Sequence, residues 1–337
     1  LNESTGLSRT PNAPLMFAST TKKSFILEKP EQTCDILEEA INLAYEGRPG
    51  PVHIHTPKNI TFADVPNFRE IRLNIKPVSP RPEGIHAFAA RLAEGLAKNE
   101  QMLLLIGYGA IRSHAENELL AFVEKFQMPF ITTMDAKGVL PENHPLSLGV
   151  YGTSGDPGAN RYFDNTTLVL ALGNSFAQNA TFAFKADLYD QKTLMHINID
   201  PHEINKVYRA DYAMVSDIRP AISAISRELS MLVGSVASKT ITSEKWHDLP
   251  LDYAGTKIHP GALVKVLSKN LPENAIVLGD AGSHMLWLNC YLKLAGNQRY
   301  QNPGSFGPMA SHTNAAIGVK CAHPDQVVIS GSGDGCY

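Results

Sequence analysis

The chain is poor in the features that mark many specialised proteins. It has four cysteines, Cys34, Cys290, Cys321 and Cys336, set far apart with no Cys-x-x-Cys pair, which argues against a zinc site and a disulfide framework. They are expected as buried thiols in a reducing compartment, so cytoplasm is the expected location. No apolar run approaches the roughly 18 residues that a membrane-spanning helix needs, so no membrane partner is expected. Net charge is −3 with no basic stretch, so no nucleic-acid partner is expected either. The opening Leu1-Asn2-Glu3-Ser4 lacks the charged and apolar regions of a signal peptide. What is present, 43% hydrophobic and 19% charged residues over 337 positions, suits a globular protein of about two to three domains.

Residues 1–30 read as irregular, broken by Pro11, Pro14 and Pro30. From Glu31 to Glu46, Leu37, Ala40, Ile41 and Ala44 share a helical face, and Gly47 suits the position after the helix. Arg48-Pro49-Gly50-Pro51 then turns the chain into a short strand, Val52–His55. His53 and His55 share one face of it, but a third metal ligand is lacking, so packed or solvated histidines are expected. Residues 58–82 have linker composition. Beyond them Ile85, Phe88, Ala89, Leu92 and Leu96 line a helix, and Met102–Ile106 is a strand. Ser113 and Glu116 stand at capping-box spacing before a helix that buries Leu119, Leu120, Val123 and Phe126. Apolar runs at 130–133, 168–172 and 194–199 add strands. Residues 231–257, rich in Ser, Thr and Lys, read as a second linker. Pro260 then opens a helix faced by Leu263, Leu267 and Leu271. Strand Ala275–Leu278, a helical run through Trp287 and Leu294, and strand Val327–Ser330 follow. Strands alternating with helices imply right-handed crossovers and parallel sheets: an α/β fold of three-layer αβα domains. The last sheet has few strands and would leave an edge and an apolar face exposed, so the chain is expected to be part of a longer polypeptide.

Four loops are candidates for chemistry. Gly107-Tyr108-Gly109-Ala110 lies between strand and helix, but Arg112 stands where a dinucleotide fingerprint needs its third glycine. A tight turn is expected there, and a nicotinamide dehydrogenase is disfavoured, although helix-start amides can hold a phosphate. Gly282-Ser283-His284 offers an amide, a hydroxyl and an imidazole to a diphosphate; a helix-start histidine with no ligand is the alternative. In Asn302–Met309 two glycines and two prolines make a rigid loop. Met309 can support a ring there, unless it and Phe306 simply fill core. Gly333-Asp334-Gly335 can hold a cation beside a closely approached phosphate, or be an ordinary turn. Cys336 beside it is either reactive or a small residue fitting that turn. The last three loops would all leave the carboxyl ends of strands of one parallel sheet, where such folds bind ligands.

In this order the motifs resemble the thiamine-diphosphate enzymes of the acetolactate-synthase type. Thr21-Lys22-Lys23-Ser24-Phe25, Gly47-Arg48-Pro49-Gly50-Pro51-Val52 and Pro57-Lys58 are similar to the end of that family's pyrimidine-binding domain. Ala136-Lys137-Gly138, His144-Pro145 and Asn198-Ile199-Asp200 are similar to its central domain, and the last three loops to the start of its diphosphate-binding domain. The resemblance implies domains at 1–63, 83–230 (Rossmann-like) and 258–337, with linkers at 64–82 and 231–257. It implies that Asp334 binds Mg²⁺ and that Ser283, His284 and the Gly335 and Cys336 amides contact diphosphate, with Gly282 and Gly333 in the same cofactor-binding loops. It further implies that the Gly307 carbonyl accepts from the cofactor's 4′-amino group, while the Met309 amide bonds the pyrimidine and its side chain holds the bent cofactor. The expected cofactors are thiamine diphosphate and Mg²⁺, the substrate a 2-keto acid or related carbonyl, and the assembly a homodimer or homotetramer. The reaction is a decarboxylation or a carboligation; the alternative is a non-catalytic nucleotide- or cofactor-binding protein of the same fold. The family's catalytic glutamate is expected upstream of Leu1, Glu3 being out of context, and the asparagine completing the Mg²⁺ site beyond Tyr337. Gly173-Asn174-Ser175-Phe176-Ala177-Gln178-Asn179 lacks both arginines that meet FAD in acetolactate synthases, so FAD is not expected. Asn174, Ser175 and Gln178 are central-domain ligand residues or turn residues.

Overall fold

A computed structural model describes residues 13–251 and 253–337; the expectations for residues 1–12, Glu3 included, lie outside them. The chain divides into two compact units, Leu1–Val78 and Ser79–Tyr337.

The smaller unit contains α1 (Ala13–Phe17), β1 (Ser24–Ile26), α2 (Thr33–Tyr45), β2 (His53–His55) and α3 (Lys58–Thr61). β1 and β2 pair in parallel, with Phe25 opposite Ile54. The stretch expected to be irregular before residue 30 therefore holds a helix and a strand. Both are too short to show a period, and the strand is defined by its partner rather than by its own pattern. α2 ends as expected, with Gly47 at φ +58°. The linker composition after residue 57 conceals α3 and a stretch stitched to α2. Arg69 reaches both Asp35 and Glu38 at 2.6 Å, and the Asn42 amide bonds Arg72 O and Asn74 N. His53 bonds Ser24 Oγ at 2.7 Å and stacks on Phe17. No group of three or more His, Cys, Asp and Glu among the described residues is placed to hold a metal ion.

In the larger unit, α4 (Pro82–Ala97), β3 (Met102–Ile106), α5 (Tyr108–Arg112), α6 (Glu116–Phe126), β4 (Phe130–Thr132), β5 (Ser147–Val150), α7 (Pro157–Asp164), β6 (Leu168–Leu172), β7 (Thr193–Asn198), β8 (Tyr212–Val215) and α8 (Ile218–Leu232) build one sheet and its covering helices. The six strands are ordered β5-β4-β3-β6-β7-β8 and are all parallel. The strands read as continuous apolar runs because both faces are covered. Leu104, Ile106 and Leu170 face one core with Phe88, Phe122 and Ile222. Leu103, Leu105 and Val169 face the other, with Tyr151, Phe163 and Phe176. β5 and β8 escaped the sequence reading: one carries Ser147 and Gly149, the other is an edge strand with Tyr212 half exposed. The expected capping box is absent. The chain makes the separate turn α5, bends through His114 at φ +50°, and Ser113 Oγ accepts instead from Arg219 N at 2.7 Å. Phe122 rather than Leu120 is fully buried.

The second sheet of this unit holds α9 (Pro260–Asn270), β9 (Ile276–Gly279), α10 (Ser283–Tyr291), β10 (Arg299–Gln301), α11 (Ser311–Ala322) and β11 (Val328–Gly331). Its order is β10-β9-β11, all parallel. Here too there are corrections. Leu263 is exposed and Val264 is buried in its place, while Leu267 and Leu271 pack against the core as expected. The helical run ends at Tyr291, and Leu292 and Leu294 are buried as extended chain. Cys321 is exposed, since α11 buries no residue, and Cys290 is only half-buried. Phe306 is 92% exposed and Met309 58%, which rules out core filling.

The two sheets meet through a buried ion pair. Glu142 Oε1 lies 2.5 Å from Lys137 Nζ, and Glu142 Oε2 accepts from Leu294 N at 2.8 Å. The Lys245 ammonium donates to Glu142 O at 2.8 Å. Nearby, the buried Asp156 carboxylate accepts from Val150 N and Trp246 N, and burial pushes its pKa up to about 6.

Removing Glu142 would strand the Lys137 charge in this seam. Glu142→Ala is expected to cost about 3–5 kcal/mol in urea unfolding. Asp156 gives a pH signature of known sign. Its folded pKa lies above its ordinary value, so the unfolded chain releases this proton first. Its contribution to stability therefore falls as pH rises from about 4 to about 6, by up to roughly 3 kcal/mol. Unfolding measured between these pH values should lose that slope in Asp156→Asn.

Candidate functional site

The loops after β9, β10 and β11 all emerge at the carboxyl edge of the second sheet. The first begins with Asp280, which is fully buried. Its carboxylate accepts from Ala281 N at 2.7 Å, Thr313 N at 2.8 Å and Thr313 Oγ1 at 2.6 Å, tying the start of α11 to the end of β9. Burial alone would raise its pKa, but these bonds hold it below the ordinary value. Gly282 follows at φ +145°, a conformation open to glycine, and a Cβ there would lie 2.7 Å from the His284 ring. α10 then opens with Ser283 exposed and His284 half-buried, so both sit in a helix's first turn, where unpaired amides favour an anion. His284 Nε2 is buried and has no hydrogen-bond partner.

In the second loop, Asn302 Oδ1 accepts from Gly304 N at 2.9 Å and shapes a single turn, Gly304–Phe306, which Gly307 closes at φ +57°. Gly307 approaches only Gly304 of its own turn, and Met309 projects beyond it. In the third loop, the turn Asp334–Cys336 leaves the Asp334 carboxylate exposed with no hydrogen bond or ion pair to a described residue. Cys336 is buried, and its thiol donates to Ala281 O at 3.2 Å, so it latches the third loop to the first.

The third loop touches both others. A Cβ on Gly333 would stand 3.1 Å from His284 Nδ1, and one on Gly335 2.8 Å from Met309 Cε. The structure thus brings Gly282, Ser283, His284, Met309, Gly333, Asp334, Gly335 and Cys336 to one place, with Gly307 at the base of the Met309 arm. A free carboxylate, helix-start amides, an unpaired imidazole nitrogen and an exposed thioether fit a diphosphate bridged by a divalent cation and carrying an aromatic ring. The sequence reading did not single out Asp280 or Thr313. The signal was an acidic residue at the end of a buried strand, indistinguishable there from a ligand-binding one.

The other candidate loop is a packing contact. A Cβ on Gly107 would lie 2.4 Å from Gly173 O, and one on Gly109 2.6 Å from Gly173 Cα. Asn174 builds the next turn. Its Oδ1 accepts from Phe176 N, and its carbonyl accepts from His196 Nε2 and Asn198 Nδ2. Gln178 precedes the turn Asn179–Thr181.

Comparison with known proteins places matches over both sheets of the larger unit. Residues 89–225 match the family described as thiamine pyrophosphate enzyme, central domain, and residues 280–337 match its C-terminal TPP binding domain. A probable acetolactate synthase large subunit of Methanocaldococcus jannaschii is 31% identical over 96% of this chain and 56% of its own length. The acetolactate synthase isozyme 3 large subunit of Escherichia coli is 28% identical over 93% of this chain and 56% of its own length. The chain therefore spans about half the length of the curated relatives it matches. In fold it is similar to a candidate thiamin diphosphate-dependent enzyme from Mycobacterium smegmatis, with a TM-score of 0.80 and 23% identity, over 97% of this chain and 62% of that one. With both matched regions in order and relatives aligned over more than nine-tenths of this chain, this chain belongs to the thiamine pyrophosphate enzyme family and is similar to acetolactate synthase large subunits.

Proposed function

We propose that this chain serves a thiamine-diphosphate- and Mg²⁺-dependent enzyme that makes or breaks a carbon–carbon bond next to a carbonyl, with a 2-keto acid as substrate. One observation carries the reading: the free carboxylate of Asp334, the unpaired His284 nitrogen and the exposed Met309 share the carboxyl edge of one parallel sheet. When bound, the cofactor supplies a nucleophilic carbon and an electron sink. The chain's own residues bind and orient. Asp334 would hold the cation, and Ser283, His284 and the amides of Gly335 and Cys336, the last of which donates to Gly333 O at 3.0 Å in this structure, would hold diphosphate oxygens. Gly282 and Gly333 keep the backbone bare where His284 packs. The Gly307 carbonyl would accept from the pyrimidine amine, and Met309 would support the ring.

Relatives described as acetolactate synthases favour carboligation over simple decarboxylation, and catalysis over mere binding. The absence of arginine from residues 173–179 favours an enzyme without FAD. The proposed domains are 1–63, 83–230 and 258–337, and the proposed assembly is a homodimer or homotetramer in the cytoplasm. No helix among the described residues is long and apolar enough to cross a membrane.

Calorimetric titration of the intact protein with thiamine diphosphate and Mg²⁺ tests the assignment; absence of saturable binding would overturn it. Asp334→Asn should weaken that binding on the order of 100-fold, about 3 kcal/mol, the upper range for a charged contact. Gly335→Ala should leave the unfolding midpoint nearly unchanged, because its Cβ meets only the flexible end of Met309. It should still weaken binding about tenfold by displacing that side chain from beneath the ring.

A further inference from the structure

The loop that carries Met309 has little to hold its own shape. Phe306 lies in solvent, and nothing stands within 4 Å of where a Gly304 Cβ would be. Gly304, Gly307 and Ala310 all have positive φ, at +65°, +57° and +66°. Such a segment is free to sample other states unless it is fixed from outside. Its root is fixed, on the other sheet of the same unit. Asn302, the residue after β10, donates from Nδ2 to Met134 O at 3.2 Å while its Oδ1 accepts from Gly304 N. Met134 belongs to the turn Met134–Ala136 that follows β4. The Asp135 carboxyl of the same turn lies beside the Asn302 side chain, its Oδ1 buried without a hydrogen-bond partner among the described residues. One planar amide therefore joins the end of a central-sheet strand to the first turn of the loop.

We propose that Asn302 is a positioning residue: it hangs the Gly304–Met309 loop from the Met134–Ala136 turn, so that the loop is set before the cofactor arrives. The word cofactor rests on the function proposed above; the clamp itself does not. Preorganisation of this kind strengthens binding by removing the ordering cost from the binding step. Neither Met134 nor Asp135 needs to touch the ligand.

Amide hydrogen exchange on the cofactor-free intact protein at pH 8 reads the clamp directly. Asn302→Ala removes both bonds of the amide. Asn302→Asp keeps an acceptor for Gly304 N but has no donor for Met134 O. Both variants should speed exchange at Gly304, Phe306 and Gly307 by about tenfold, the effect of one or two hydrogen bonds. Amides of β6 should stay as protected as in the unaltered protein. Both should also weaken thiamine diphosphate binding by a similar factor. If Asn302→Asp exchanges like the unaltered protein, only the local turn matters and the clamp is overturned. Equal acceleration in β6 would overturn it as well, as global destabilisation. If the unaltered protein fails to bind thiamine diphosphate, the functional reading falls, while the exchange result still decides the clamp.

Discussion

Glu142 makes the larger unit one body. Its carboxylate is almost wholly removed from water, and each oxygen has a partner: the Lys137 ammonium on one side and the Leu294 amide on the other. Leu294 lies in the extended chain between α10 and β10, so the pair reaches from the central sheet into the frame of the second. The side chain of Leu294 presses on Gly138, at φ +79°, where a Cβ would lie 2.5 Å from its Cδ1. Charge pairing and close packing thus act on the same residue. A buried ion pair often adds little net stability compared with an apolar replacement, but it tolerates no shift in geometry.

The candidate site follows from parallel topology. In the order β10-β9-β11 every strand runs the same way, so every following loop leaves at the same edge. The loops need not be rich in contacts, because strand pairing has already brought their roots together. β9 pairs with β10 from Ile276 to Leu278 and with β11 from Ile276 to Gly279. What remains is to lock the tips. The Cys336 thiol does so on Ala281, and the Thr313 hydroxyl does so between Asp280 and Ser332.

How much of this the sequence disclosed depended on the length scale of each signal. Helices with a full apolar stripe, such as Pro82–Ala97 with Phe88, Ala89 and Leu92, were legible because burial repeats along them. Strands buried on both faces, such as Leu168–Leu172, were legible as apolar runs. Arg299–Gln301 was not, because one buried tyrosine between two exposed polar residues has no pattern of its own. Ser113 misled because its hydroxyl is satisfied by Arg219, far away in sequence, and not by its own helix. The site glycines were legible as a group since bare backbone was needed at several loop tips. The reach of Asn302 to Met134 was not, because nothing local marks which carbonyl an amide will meet.

The two aspartates at the carboxyl edge show where composition stops and structure begins. Gly279-Asp280-Ala281-Gly282 and Gly333-Asp334-Gly335 look alike as text, each an acidic residue among glycines after a short strand. Their environments are opposite. Asp280 is fully buried, accepts three hydrogen bonds and has its charge neutralised by donors of the fold itself. It has no remaining need of a cation, and its role is to seat α11. Asp334 is exposed and bonded to nothing described, at a position held by its buried neighbour Cys336. A carboxylate that is positioned but unsatisfied can bind a cation without first breaking bonds within the protein. The distinction lies in which aspartate finds Thr313, and Thr313 reaches Asp280 because α11 begins over the end of β9.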